Sequence, residues 1–149
     1  ALQVQIWERL SQTHDIIHTI RTLRRQVEEW ERKTKGQEQA EAVKEAGTKL
    51  KEKLTALEEE LIQTKAKTRQ DTLNHPVKFN AHFAFLGFAV SSAEAAPTRQ
   101  ERELFAELVA RLDRYQKQLQ EIIDTDVAAF NTHLRDLQVP ALVPPPSRA

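Results

Sequence analysis

Apolar residues step along the first part of the chain by threes and fours. Leu2, Ile6, Thr13, Ile16, Ile20, Leu23, Val27 and Trp30 form one row, with Arg9 in a row position and Leu10 beside it. Such steps mark the heptad seam of a helix packed on another helix, and predict helix A over about residues 3–34. A second row, Ala40, Val43, Gly47, Leu50, Leu54, Leu57, Leu61, Thr64 and Thr68, predicts helix B over about residues 37–72. "TKGQ" lies between them, with Gly36 as the terminator of helix A. A turn this short makes A and B antiparallel neighbours. Facing residues then share an index sum, and 70 pairs Trp30 with Ala40, Val27 with Val43, Leu23 with Gly47, Ile20 with Leu50, Ile16 with Leu54 and Ile6 with Thr64. Large faces small near the tip, as interdigitating layers require.

"LNHP" ends helix B. Pro76 cannot continue the hydrogen-bond ladder and pushes the preceding residue out of the helical region, while Asn74 caps the next helix. Helix C is predicted over about residues 77–93 and is apolar nearly all round. It holds four of the six Phe: Phe79, Phe83, Phe85 and Phe88. Thr98 and Glu101 then have the spacing of a capping box, so helix D starts at Thr98. Its apolar positions are Phe105, Leu108, Leu112, Tyr115, Leu119 and Ile122, then Ile123, Val127, Phe130, Leu134 and Leu137, with a phase slip of one residue at Ile122/Ile123. "VPALVPPPSRA" reads as a Pro-rich extended tail.

The fold class is therefore all-α: a long antiparallel coiled-coil hairpin (1–72), a short apolar helix with its loops (73–97) and a long helix (98–138). Together they form a partial four-helix bundle over residues 1–138, followed by the tail 139–149. At 1.5 Å per residue, A is about 45 Å long, B about 50, C about 25 and D about 60. Helix C, being apolar on all sides, is expected to lie buried against the hairpin and D. The hairpin widens for it near its open end through Trp7, Leu10, Ile17 and Ile62, and narrows near its tip as two helices alone would. Phe79, Phe83, Phe85, Phe88, Trp7 and Trp30 are the expected core cluster, since aromatics at helical spacing dominate core energetics. A small apolar ligand among the Phe rings is the alternative.

Helix D, laid from the top of C, overruns the junction of B and C by about 35 Å. Val127, Phe130, Leu134 and Leu137 form a stripe on that overrun with nothing in the chain evidently covering it. Exposed stripes mark interfaces, so these four are the interface candidates. Either D breaks near Asp124–Asp126 and folds back, or it stays straight and packs on a partner, with a homodimer the favoured reading.

Composition narrows the options. The 149 residues are 40% apolar and 30% charged, enough for one domain with a core. Net charge is zero, and the halves are balanced, with 14 basic and 13 acidic residues in 1–75 and 8 and 9 in 76–149. Neither half has the basic footprint of a nucleic-acid binder. Arg21, Arg24 and Arg25 read as a solvated face. There is no Cys, hence no disulfide or thiolate site, and no Met even at position 1, which fits a piece of a longer chain. The apolar run from Ala81 to Val90 contains His82 and is too short for a membrane span.

Candidate chemistry is sparse. His14 and His18 have zinc-ligand spacing with Asp15 nearby, but no second pair completes a set, and no metal or other cofactor is expected. His75, His82 and His133 stand alone, at a cap, a core rim and the surface. Asp124 and Asp126 in "DTDVAAFN" begin like a calcium loop without its Gly or closing Glu, so a helix irregularity is expected there. Glu58–Glu60 read as a solvated face. No catalytic constellation is found.

The stretch from "LTALEEEL" through "DTDVAAFN", roughly residues 48–138, resembles the C-terminal helical region of bacterial secreted BNR-repeat proteins. These are sortilin-like β-propellers often labelled glycosyl hydrolase-like. "DTLNHPVKFN", "AAPT" and "DTDVAAFN" carry the resemblance most specifically. It implies a module that follows a propeller in an exported protein. No propeller repeats occur in this chain, so no catalytic residue carries over. The expected function is a non-enzymatic interaction or assembly module whose partner is a second copy or the upstream propeller. The alternative is an accessory domain of a carbohydrate-active or other hydrolase.

Overall fold

In a computed structural model, the chain is described over residues 1–62, 78–93 and 95–136. Helix α1 spans Leu2–Lys33, α2 spans Ala40–Leu61, α3 spans Phe79–Ser92 and α4 spans Arg99–Ile122. A π turn, Ile123–Val127, joins α4 without a break to α5, Ala128–Asp136. The architecture is all-α, and the helices pack into one bundle. Asn74, His75, Pro76, Leu137, the last predicted turns of helix B with Thr64 and Thr68, and the Pro-rich tail lie outside the described residues.

The punctuation follows from local chemistry. Thr34 closes α1 by donating its hydroxyl to the Trp30 carbonyl at 2.8 Å, and it is buried there. Gly36 then takes a φ of +88°, the left-handed conformation that a side chain disfavours, and turns the chain back. At the start of α4, the Thr98 hydroxyl accepts the Glu101 N–H at 3.1 Å, and the Glu101 carboxylate accepts the Thr98 N–H at 2.9 Å. That reciprocal box satisfies two otherwise orphaned donors. α2 ends at Leu61, eleven residues before the predicted end of helix B, because Ile62 has extended backbone.

α1 and α2 form the expected antiparallel hairpin in a different register. Gly47 lies against Val27 and Glu31 rather than Leu23. Arg24 donates to Thr55 at 3.1 Å and Arg21 to Glu58 at 2.7 Å; both pairs give an index sum of 79. Val27 with Gly47 gives 74, so the contacts between the two helices run four to nine above the expected 70. A heptad pattern superposes on itself after seven residues, so periodicity alone does not fix the offset. The turn from Thr34 to Gln39 and the cross-helix ion pairs do.

Because α2 stops early, it covers only the C-terminal part of α1. α3 takes over beyond it: Gly87 and Phe88 lie on Trp7, and the start of α3 places Phe79 against Tyr115 in the middle of α4. α4 and α5 run alongside the whole length, with Phe105 on Phe83 at the open end and Asp126 on Lys53 toward the tip. Among the described residues, α2 and α3 thus succeed one another beside α1 and α4. One continuous core runs through them, from Leu2 and Ile6 through Ile20, Leu54 and Leu112 to Val43 and Phe130.

This arrangement overturns the reading of the long helix as a free overrun. Phe130 is 4% exposed, and Val127 and Leu134 pack half-buried on the same core. The hairpin itself covers the stripe, because α4 descends beside it instead of passing beyond it. α2 admits α5 through small residues: Ala42 and Ala46 line the same cleft as Ala129 and His133. The tip is therefore not two helices alone.

The phase slip is real, and the π turn absorbs it. One extra residue would rotate the rest of an α-helix by about 100°. Winding that residue into a wider turn keeps Leu119 and Phe130 on the same buried side. Local partners complete the turn. Thr125 donates its hydroxyl to the Glu121 carbonyl at 2.7 Å, and Gln120 donates to Asp124 at 2.9 Å. Lys53 of α2 holds both oxygens of Asp126 at 3.0 Å.

Candidate functional site

α3 sorts its aromatics onto two faces. Phe79 and Phe83 point inward, 1% and 0% exposed, with Leu86 and Gly87 on the same side. They extend an edge-to-face chain: Tyr115, Phe79, Phe83 and Phe105, with successive ring centres 5.0, 5.3 and 6.4 Å apart. Edge-to-face contact sets the positive edge of one ring on the negative face of the next. Arg111 adds its guanidinium 5.0 Å from the centre of the Phe79 ring.

Phe85 and Phe88 point outward, 59% and 64% exposed. This corrects the expectation that all four helix-C rings are core. A helix can bury only the sides that face its neighbours, however apolar its remaining side. Of the two Trp expected in the core, Trp7 and Trp30 are both half-buried at its rim. Trp7 meets Phe88 edge-on at 5.6 Å, and its ring lies so close to Gly87 that a β-carbon there would fall 2.8 Å from it. Val4, one turn before Trp7, is also exposed.

The exposed Phe85 and Phe88, with Trp7 against Phe88, thus make an aromatic surface at the open end. No Asp, Glu, Lys or Arg occurs anywhere in α3. A charge-free helix with exposed aromatics has the composition of an interface centre, where charged side chains are depleted and aromatics enriched. Sequence reasoning placed these Phe in the core and missed the surface. Gly87 was the available signal, since an isolated Gly in an apolar helix marks a close approach, here of Trp7.

The polar candidates fall elsewhere. His14, His18 and His82 are exposed. Among the described residues no group of three or more His, Cys, Asp or Glu side chains is placed to hold a metal ion. Asp124 and Asp126 belong to the π turn and its partners. Two solvated-face readings need correction. Glu58 is 4% exposed, and Arg21 and Arg24 both bond it, at 2.7 Å and at 3.1 and 3.2 Å. Arg25, Glu60 and half-buried Glu59 stand apart from this clasp. Burial pushes the Glu58 carboxyl up, but hydrogen bonds and charge from Arg24 and Arg21 outweigh it and hold the group below its usual value of 4.5. Among the described residues no helix is long and apolar enough to cross a membrane.

No family model, curated protein or solved structure matches the chain.

Proposed function

We propose that the chain is a helical interaction module that acts through the aromatic face of α3 and performs no chemistry of its own. The observation that carries the reading is the exposure of Phe85 and Phe88, the most exposed large apolar side chains among the described residues, on a helix without charged residues. Apolar patches of this kind mark binding surfaces. The resemblance of residues 48–138 to the helical region that follows secreted sortilin-like propellers supplies a setting. In that setting the module forms the C-terminal part of a larger exported propeller protein and supports its assembly. An accessory role beside a carbohydrate-active or other hydrolase fits the same setting.

The chain has no Cys, so a single Ser92→Cys variant carries a cross-linker at one defined point of the face. In the full polypeptide, cross-links from position 92 to another folded domain or another copy are expected. The chain alone is expected to turn over no glycoside or peptide. Turnover by the chain, with no cross-link from position 92, replaces this reading with an enzyme.

A further inference from the structure

Resting on that reading, we infer that the partner of the α3 face is a second copy of this chain, bound α3 to α3 in antiparallel orientation about a two-fold axis. The pattern of the face is the argument. Ala81, Phe85, Phe88 and Ser92 follow one another in steps of four, three and four. Their sizes run small, large, large, small. Ala81 is half-buried, and the other three are exposed. The row reads the same from either end.

A two-fold interface demands that property, because each copy must present to the other the patch it receives. In the antiparallel arrangement, Phe85 meets Phe88 of the second copy and Phe88 meets Phe85. Ala81 and Ser92 then lie opposite each other at both ends. Two aromatic pairs form at the centre, and the small outer residues let the helices approach closely. A partner unrelated to this chain would impose no such symmetry.

Charge agrees: α3 brings no like charges together, and the chain as a whole is neutral.

Sedimentation from micromolar to millimolar concentration tests the pairing. The mass is expected to rise from 17.1 kDa toward twice that value. The Phe85→Asp, Phe88→Asp double variant is expected to remain monomeric, with self-association weakened at least tenfold. Its circular dichroism and melting temperature should match the parent, since both side chains are exposed. A Phe85→Lys, Phe88→Lys chain mixed with a Phe85→Glu, Phe88→Glu chain is expected to restore a dimer, and only as the mixed species. A single 17.1 kDa species at every concentration overturns the proposal, as does a dimer that survives the double Asp substitution. A monomer that sediments with neutral phosphatidylcholine vesicles through Phe85 overturns it in favour of a lipid surface. A monomer that still cross-links to a neighbouring domain from position 92 sinks the two-fold pairing and leaves the interaction module standing.

Discussion

The two ends of the bundle solve the same packing problem with different chemistry. Toward the hairpin tip the rods meet through aliphatic and small residues, Val27, Val43, Gly47 and Ala46, and charged clasps close the seams. Glu58 with Arg21 and Arg24, Glu31 with Lys51, and Lys53 with Asp126 all belong to this part. Toward the open end the contacts are rings on rings and a ring on a glycine. Among the described residues, the four exposed large apolar side chains, Val4, Phe85, Phe88 and Leu104, belong to that end. The tip is finished within the chain, whereas the open end keeps aromatic surface outside. Ion pairs there would give little to an added partner, since exposed pairs contribute only about 0–1 kcal/mol. Uncovered rings offer far more.

The sharpest way to break the contrast is to truncate an inner and an outer ring of the same helix. Phe83→Ala removes a fully buried ring from between Phe79 and Phe105, and should destabilise the fold by about 3–5 kcal/mol. Phe85→Ala, two residues away, should change monomer stability by no more than about 0.5 kcal/mol. Urea denaturation of the two variants at a concentration where the protein is monomeric checks both. Equal losses would mean that Phe85 is covered after all.

Glycine compares the ends next. Gly87→Ala drives a β-carbon against the rigid Trp7 ring and should cost about 1–3 kcal/mol by overpacking, with a red shift of the Trp7 emission as the ring swings out. Gly47→Ala meets chiefly the carboxylate end of Glu31, the far end of a flexible side chain although Lys51 holds it at 2.9 Å, and Val27 at 3.0 Å. Thermal melts should therefore show a clear loss for Gly87→Ala and a smaller one for Gly47→Ala, where Glu31 can swing at the expense of its Lys51 bond. Both substitutions gain the same helix propensity of about 1 kcal/mol.

The last effect is electrostatic and belongs to the hairpin. The Glu58 carboxyl titrates below its usual value in the folded chain, so the ionised form favours folding. Its contribution is present above the ordinary glutamate range and is lost as pH falls through the lowered folded value. Glu58→Gln should lower stability by about 1–2 kcal/mol at neutral pH, discounted for the partial exposure of Arg21 and Arg24. It should also flatten the acid side of the stability–pH curve between pH 3 and 5, the region around the reference carboxyl values near 4. An unchanged acid limb would show that the clasp does not hold this carboxylate ionised.

Much of this was legible in the sequence, and the parts that were not share a cause. Helix identity, the Thr98–Glu101 cap, Gly36 and the slip at Ile122/Ile123 are local features, and local chemistry determines them. The register of α1 on α2 is not local, because seven-residue repeats leave their own offset open. The seam reading gave Ala42 and Ala46 no part, yet they line the cleft that receives α5. Without that second face, Val127, Phe130 and Leu134 looked exposed. Helix C looked uniformly apolar, and only the number of its neighbours decides which rings are buried. Glu58 looked like one of three solvated acids until the register brought Arg21 and Arg24 to it.

The wide turn at Ile123–Val127 works as an expansion joint. A residue added to a rigid shaft would twist everything downstream, carrying Phe130 off the hairpin and undoing the tip. Taken up within one turn, the surplus stays where it arose. The nine residues of α5 keep their bearing on α2, as though the count upstream had never changed.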